Sequence, residues 1–327
     1  MKVLCIGDPH IKVDNISETE EMIEKIKKVY LEKKPDLIVC MGDMLDRHST
    51  VHVSCLMTAE KMVEELSQLA PFYFIIGNHD RPNNSTFLTN EHPFNALKKW
   101  PNVFIIDDVK ETEHFLFVPY VPNSRFEEAL ERVCPLEELN KYKAIFCHQE
   151  FLGAKMGTII SKGGDSWHEK RPLTISGHIH EYDVLSSNVV YIGTPRQQTF
   201  SESLDKRISL FTFNEKGEAD HERIDLGMKK KVTINITPEE LHGFKVPTDK
   251  HVKLVIHGEE AIIKSIIKSS RISELKKAGV KVCFKTQHSS LPSTDQPTEK
   301  MMFKDRLYQR CNKNPLTIAW CNKLFPN

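Results

Sequence analysis

The sequence of 327 residues has no pair of cysteines at the two-residue spacing of a zinc ribbon or redox motif. Its eight cysteines, Cys5, Cys40, Cys55, Cys134, Cys147, Cys283, Cys311 and Cys321, are scattered along the chain. Cys5, Cys40 and Cys147 end apolar runs, where a thiol behaves as a small hydrophobe. Buried free thiols in a reducing compartment are therefore expected, and a zinc–thiolate site is not. No apolar run approaches the roughly 18–20 residues of a membrane span. The first six residues are short and β-rich and lead straight into Asp8, so they read as a strand rather than a signal peptide. A cytoplasmic or nuclear protein without a membrane partner is the resulting expectation. There is no internal repeat, no long low-complexity tract, and no net charge, with 45 Lys and Arg against 45 Asp and Glu.

That zero balance hides an asymmetry. Residues 228–327 carry 19 Lys/Arg against 9 Asp/Glu, which leaves 26 against 36 in residues 1–227. An acidic region suits a site that gathers divalent cations, and a basic one suits a polyanionic partner.

The chain is long enough for one large α/β domain and a smaller second one. Strand-like and helix-like segments alternate at the start: a strand over 2–6, a helix over 18–34, a strand over 36–41, a helix over 53–69 and a strand over 71–76. Met22, Ile23, Ile26, Val29 and Tyr30 share one face of the first helix, and Ser17 with Glu20 would cap it as a capping box. This βαβαβ opening predicts parallel strands joined by crossover helices. Short apolar runs follow over 103–106, 115–118, 144–147, 173–176, 189–192 and 208–213. They favour an α/β sandwich of two layered sheets flanked by helices over a single doubly wound sheet. The divisions expected are 1–228, 229–290 as a small basic α+β unit, and 291–327 as linker and helical tail. Within the second unit a strand over 252–257, a helix over 259–278 broken near Ser269, and a strand over 280–285 are expected.

Five clusters of oxygen and nitrogen ligands each follow an apolar run. They are Asp8-Pro9-His10, Asp43-Met44-Leu45-Asp46, Asn78-His79-Asp80, His148 after Cys147, and His178-Ile179-His180. A layered α/β core gathers the C-terminal ends of its strands at one edge. Glycine stands before four of the five, where it permits a sharp turn and close backbone approach. Carboxylates, imidazoles and one amide, without sulfur, suit Mn, Fe or Zn ions. Each fragment alone is weak, but five in this order make a specific signal.

Together these segments resemble the calcineurin-like metallophosphoesterase superfamily, whose pattern D-x-H, GD-x-x-D, GNH-D/E, H, GH-x-H is matched from Asp8 to His180. The resemblance implies two metal ions. Asp8, His10, Asp43 and His180 would hold one, and Asp43, Asn78, His148 and His178 the other, with Asp43 bridging. His79 would face the scissile phosphate as the catalytic residue. Asp46 and Asp80 would orient ligand side chains. Two cations about 3.5–4 Å apart can clamp the attacking and leaving oxygens of an in-line displacement.

A narrower likeness covers roughly residues 1–215. The run Gly193-Thr194-Pro195-Arg196, then Phe200-Ser201-Glu202, is similar to a segment of SbcD-type and bacteriophage recombination nucleases. That likeness implies manganese-dependent cleavage of DNA in a repair or recombination complex. It also implies a coiled-coil ATPase of the SMC type as partner, with the basic unit as a DNA-holding cap. Residues 302–308 would dock on the coiled coil, a homodimer would be open to the assembly, and Arg196 would contact a phosphate. Lys229–Lys231, Lys253, Lys264, Lys268, Arg271, Lys276 and Lys277 are the candidate phosphate-backbone contacts. Asp46-Arg47 matches a general phosphatase signature equally well. A free-standing phosphatase or phosphodiesterase acting on nucleotides or phosphoproteins is therefore the alternative, and a non-enzymatic scaffold the third reading.

Overall fold

The computed structural model describes residues 1–287. The linker and helical tail expected over 291–327, with the docking stretch at 302–308, lie outside the described residues.

The first half builds β1 (Lys2–Ile6), α1 (Ile16–Lys33), β2 (Leu37–Cys40), α2 (Val53–Ser67), β3 (Phe72–Ile75) and β4 (Val103–Ile106). The next stretch adds β5 (Lys110–Glu111), β6 (Phe115–Val118), α3 (Phe126–Glu131) and β7 (Ala144–Cys147). It continues with a hairpin of β8 (Lys155–Met156) and β9 (Ile159–Ile160), then β10 (Leu173–Ser176), β11 (Asp183–Ser186) and β12 (Val189–Tyr191). The chain returns through β13 (Ile208–Phe213) and β14 (Ala219–Ile224).

Two six-stranded sheets result, ordered β14-β13-β1-β2-β3-β4 and β11-β12-β10-β7-β6-β5. The pairs β1–β2, β2–β3 and β3–β4 are parallel, as are β6–β7, β7–β10 and β10–β12. Strands buried on both faces read as continuous apolar runs, which is how most of them are spelled.

The pleat divides the strand residues of the two sheets among three cores. Val3, Cys5, Val39 and Ile75 meet Phe115, Phe117, Phe146 and Ile175 between the sheets. Leu4, Ile6, Ile38 and Phe74 face α1 and α2, against Met22, Ile26, Met62 and Val63. On the far side Leu116, Val118 and Ile145 pack on Phe126, Ala129 and Leu130 of α3. A one-residue slip would exchange these faces, so the register is strongly specified.

Helix α1 begins earlier than its expected cap. A 3-10 turn over Val13–Asn15 runs straight into it, so Asn15 stands at the cap and Ser17 lies inside the first turn. Asn15 is committed elsewhere: its side chain accepts from Lys12 N (2.8 Å) and donates to His10 O (2.9 Å), bracing the loop after β1.

Leu226 and Met228 are buried in the core that faces α1 and α2. The chain then forms β15 (Lys230–Ile236), β16 (Lys250–Glu259), α4 (Glu260–Ile266), α5 (Ser270–Lys277) and β17 (Lys281–Gln287). These three strands make a separate parallel sheet around Leu254, Ile256, Ile263, Ile272 and Leu275. β15 was not expected, because the lysines that open it read as a boundary. Among the described residues no helix is long and apolar enough to cross a membrane.

Candidate metal centre

Five loops leave the C-terminal ends of β1, β2, β3, β7 and β10, and parallel pairing brings them to one edge. Three residues there take left-handed backbone conformations that side chains rarely adopt: His10 (φ 44°), Asp43 (φ 47°) and His178 (φ 74°). Such strain persists where surrounding structure over-determines it, and functional sites are its usual place. The loops are pressed together as well. A Cβ on Gly42 would lie 2.2 Å from His148 Nδ1, and one on Gly77 would lie 2.2 Å from Asp43 Oδ1.

Two clusters of potential ligands form. Asp8, His10 and His180 make one, and Asp43, His148 and His178 the other, with the ligand atoms of each within 4.8 Å of one another. Asn78 joins the second, its Oδ1 lying 3.0 Å from both His148 Nε2 and His178 Nδ1. Asp43 Oδ2 lies between the clusters, 3.3 Å from His148 Nε2 and 3.7 Å from His10 Nε2.

The imidazoles are oriented from behind. His148 Nδ1 donates to Met41 O (2.8 Å), which turns Nε2 inward. His180 Nδ1 faces Glu202 Oε1 (3.3 Å), and its Nε2 lies 3.0 Å from His10 Nε2. Fixing the outer nitrogen of a ligand histidine sets its tautomer and frees the inner lone pair.

The electrostatics are those of a crowded buried site. Burial raises Asp8 to about 6, with neighbouring Asp43 adding to the rise and His148 opposing it. Burial would also raise Asp43, but His148, His10 and His79 hold it well below the carboxylate range. Burial lowers His10 to about 3 and His178 to about 3, helped by their neighbouring imidazoles. Burial would lower His148 too, but Asp43 and Asp8 raise it to about 9.

These residues fit divalent cations. Asp8 Oδ1 is buried with no hydrogen-bond partner among the described residues. Two imidazole nitrogens approach to 3.0 Å and two more to 3.3 Å. Buried acceptors that face one another at such distances need a shared positive charge or a proton. The donor set of carboxylate, imidazole and amide suits Mn, Fe or Zn.

His79 stands beside this group rather than in it. Its N–H donates to Asp43 Oδ1 (2.8 Å) and its Nδ1 to Asp46 O (2.7 Å). Its ring lies edge-on to His10, with centroids 4.9 Å apart. His48, which the sequence did not single out, stacks on His79 at 4.3 Å and holds Asn78 O through Nδ1 (2.7 Å). The Tyr120 ring lies 6.0 Å from that of His178, centroid to centroid. Asp46 pairs with Lys12 (3.0 Å) and lies 3.7 Å from His10 Nδ1.

Two expectations need correction. Asp80 does not touch an imidazole or the Asn78 amide. Buried, it accepts from the backbone N–H groups of Met44, Leu45 and Gly77, so it ties the second loop to the third. Arg196 is not open to a substrate phosphate. It is 1% exposed, and its guanidinium donates to Pro9 O (3.1 Å) and Thr19 Oγ1 (2.9 Å) in the wall behind the first loop.

Two cavities flank the centre. One of about 720 Å3 has His178, His180 and Glu202 in its lining, with the β8–β9 hairpin also contributing. Another of about 370 Å3 is lined by Ile11, Leu45, Val51 and Cys55 together with Lys12, Asp46 and Arg47.

A layered α/β core with paired Asp and His clusters at its loop edge defines a metal-dependent hydrolase. The chain belongs to the calcineurin-like phosphoesterase family, whose model matches residues 1–182. It is 35% identical over 319 residues to protein 078R of Invertebrate iridescent virus 3, assigned as a phosphoesterase, covering 95% of this chain and 92% of the relative. Protein 244L of Invertebrate iridescent virus 6, assigned likewise, is 36% identical over 277 residues, covering 82% of this chain and 98% of the relative. Among solved structures, GAP50, the anchor in the inner membrane complex of Plasmodium, is 14% identical with a TM-score of 0.43. That likeness covers 70% of this chain and 89% of GAP50.

Proposed function

We propose that this protein is a two-metal phosphodiesterase that cleaves DNA as the nuclease half of a complex with a coiled-coil ATPase. The observation that carries the first part is the pair of ligand clusters meeting at Asp43 Oδ2. Asp8, His10, Asp43 and His180 would hold one divalent ion, and Asp43, Asn78, His148 and His178 the other, with manganese the best-suited ion. When bound, such ions supply Lewis acidity and a water of lowered pKa.

The chain's own residues do the rest. Hydrolysis forms a bond from water oxygen to phosphorus, breaks the ester P–O bond and delivers a proton to the departing oxygen. His79 is the donor for that proton. In the doubly protonated ring Nδ1–H is committed to Asp46 O, and the Nε2 proton is the one passed to the departing oxygen, leaving a neutral imidazole. A positioned acid or base of this kind contributes roughly 10²–10⁴ in rate.

DNA as substrate is supported by the basic unit that follows β14. Lys229, Lys268, Lys276 and Lys277 are exposed there and can meet a phosphate backbone. Other candidates are already engaged. Lys231 pairs with Glu18, Lys264 with Glu260, and Arg271 donates to Leu241 O and Phe244 O.

The test is manganese-dependent cleavage of end-labelled duplex and single-stranded DNA. Bis-para-nitrophenyl phosphate runs beside it, and His79→Ala serves as the blank. DNA cleavage that disappears in the variant is the expected result. Turnover of small esters with DNA untouched, with and without an SMC-type ATPase, would replace the nuclease reading by a free-standing phosphodiesterase. The cavity of about 370 Å3 beside Asp46 would then become the seat of the ester group.

A further inference from the structure

The segment from Thr194 to Glu202 lies beyond the last ligand, His180, yet it touches both the ligands and the C-terminal unit. Glu202 Oε1 faces His180 Nδ1 at 3.3 Å. Its Oε2 is held by Gln198 N (2.8 Å) and by the buried ammonium of Lys206 (3.1 Å). Lys206 also donates to His180 O (2.7 Å). The carboxylate is therefore fixed on one side, and its other oxygen is presented to the outer nitrogen of the imidazole.

The same segment grips the first loop. Gln198 Nε2 donates to Pro9 O (3.3 Å), next to His10. On its outer side Gln197 pairs with Lys231 in β15 as one strand pairs with another. Its Oε1 accepts from Lys231 N (2.7 Å) and its Nε2 donates to Lys231 O (3.1 Å). Gln197 Nε2 also donates to Glu202 O (3.1 Å), and Lys231 Nζ returns to Gln197 O (2.6 Å).

Among the described residues the other cluster has no such attachment. His148 is oriented by a backbone carbonyl, Met41 O, inside the core. One half of the centre is thus built into the sheets. The other half borrows its orientation from a loop clamped to the C-terminal unit.

We propose that Glu202 is a positioning residue for the metal position at Asp8, His10 and His180, and that Gln197 links this position to the seating of the C-terminal unit. The inference rests on the two-metal reading above. Partners behind a metal-bound histidine typically govern 10–100-fold in metal affinity. The effect should fall on one position of the two.

The experiment is a manganese titration of the full-length protein, read by the EPR signal of free Mn2+, for wild type and the variants Glu202→Gln, Glu202→Ala, Gln197→Ala and Glu181→Gln. Glu181 shares Lys206 and Ser203 with this turn, but its carboxylate does not hold the His180 ring. The expected result is two bound ions in wild type. One of them should weaken about 10–100-fold in Glu202→Ala, less in Glu202→Gln, which keeps an acceptor, and several-fold in Gln197→Ala. Glu181→Gln should match wild type. Unchanged affinities in a folded Glu202→Gln or Glu202→Ala protein would overturn the proposal, and so would equal loss at both positions or an equal loss in Glu181→Gln. Wild type that binds fewer than two ions would overturn the two-metal reading itself and this proposal with it, an outcome distinct from the others.

Discussion

The catalytic layers and the C-terminal unit solve opposite problems. In the first, charged groups are buried. Asp8, Asp43 and His148 are almost sealed from solvent, and each is held by neighbours from other loops. In the second, a small apolar core around Leu254 and Ile272 carries lysines that stay in water. Buried charges tolerate almost no displacement, because desolvation makes every lost partner expensive. Exposed lysines act through summed charge and are individually replaceable. In the proposed function, chemistry belongs to the first region and long-range attraction to the second.

This contrast breaks most sharply at Asp43. Asp43→Asn should lower turnover of both DNA and small phosphodiesters by about 10⁴-fold or more, exceeding what one acid or base contributes. A variant that lost DNA cleavage but kept small-ester turnover would show that the two activities use different groups. His79→Ala comes next, with an expected loss of about 10²–10⁴-fold in kcat. Manganese stoichiometry should be unchanged, since His79 lies beside the clusters and not within them.

The second region is tested by Lys268→Glu, Lys276→Glu and Lys277→Glu together. Small-ester kinetics should not change. The salt dependence of DNA binding should become shallower by about 2–3 in the slope of log affinity against log salt. Equal losses on both substrates would mean that the lysines support the fold rather than the ligand.

The smallest effect concerns stability at the sheet edge. Burial, together with nearby Arg223, lowers His221 to about 4, and its ring stacks on Phe211 at 4.1 Å. Its folded pKa lies below the ordinary value of about 6.5, so the unfolded chain binds the proton more readily. The stabilising contribution is complete above about pH 6.5 and is lost as pH falls towards 4. Because the ring is only partly buried, the size should be about 1 kcal/mol. Urea midpoints of wild type and His221→Phe between these pH values should diverge in that window, and parallel curves would refute the assignment.

Much of the centre was legible because its ligands are local words. Asp8 with His10, Asn78 with His79, and His178 with His180 are each adjacent or one residue apart, behind strands spelled in apolar residues. The strands of the first sheet were readable for the same reason. The hairpin β8–β9 was not, because a two-residue strand in an exposed turn leaves no periodic trace. Nor was β15, whose opening run of lysines resembles a linker. Arg196 was misjudged because a cation near a phosphatase motif suggests phosphate, whereas burial and the Pro9 carbonyl decide its use. His48 carried no signal of its own, and Glu202 stood out only as part of a family segment without a role, since what matters is the ring or nitrogen each one faces across a gap in sequence.

By itself the sequence determined which atoms are available: seven candidate oxygen and nitrogen ligands, one further histidine, and strands apolar enough to be buried on both sides. These follow from local pattern, because burial and ligand chemistry are properties of residue types. Only the tertiary structure decided that His10, Asp43 and His178 take left-handed backbone, that Arg196 is sealed behind the first loop, and that Glu202 stands behind His180. Those outcomes depend on distances between loops tens to hundreds of residues apart, which the packing of two sheets sets and no local pattern encodes.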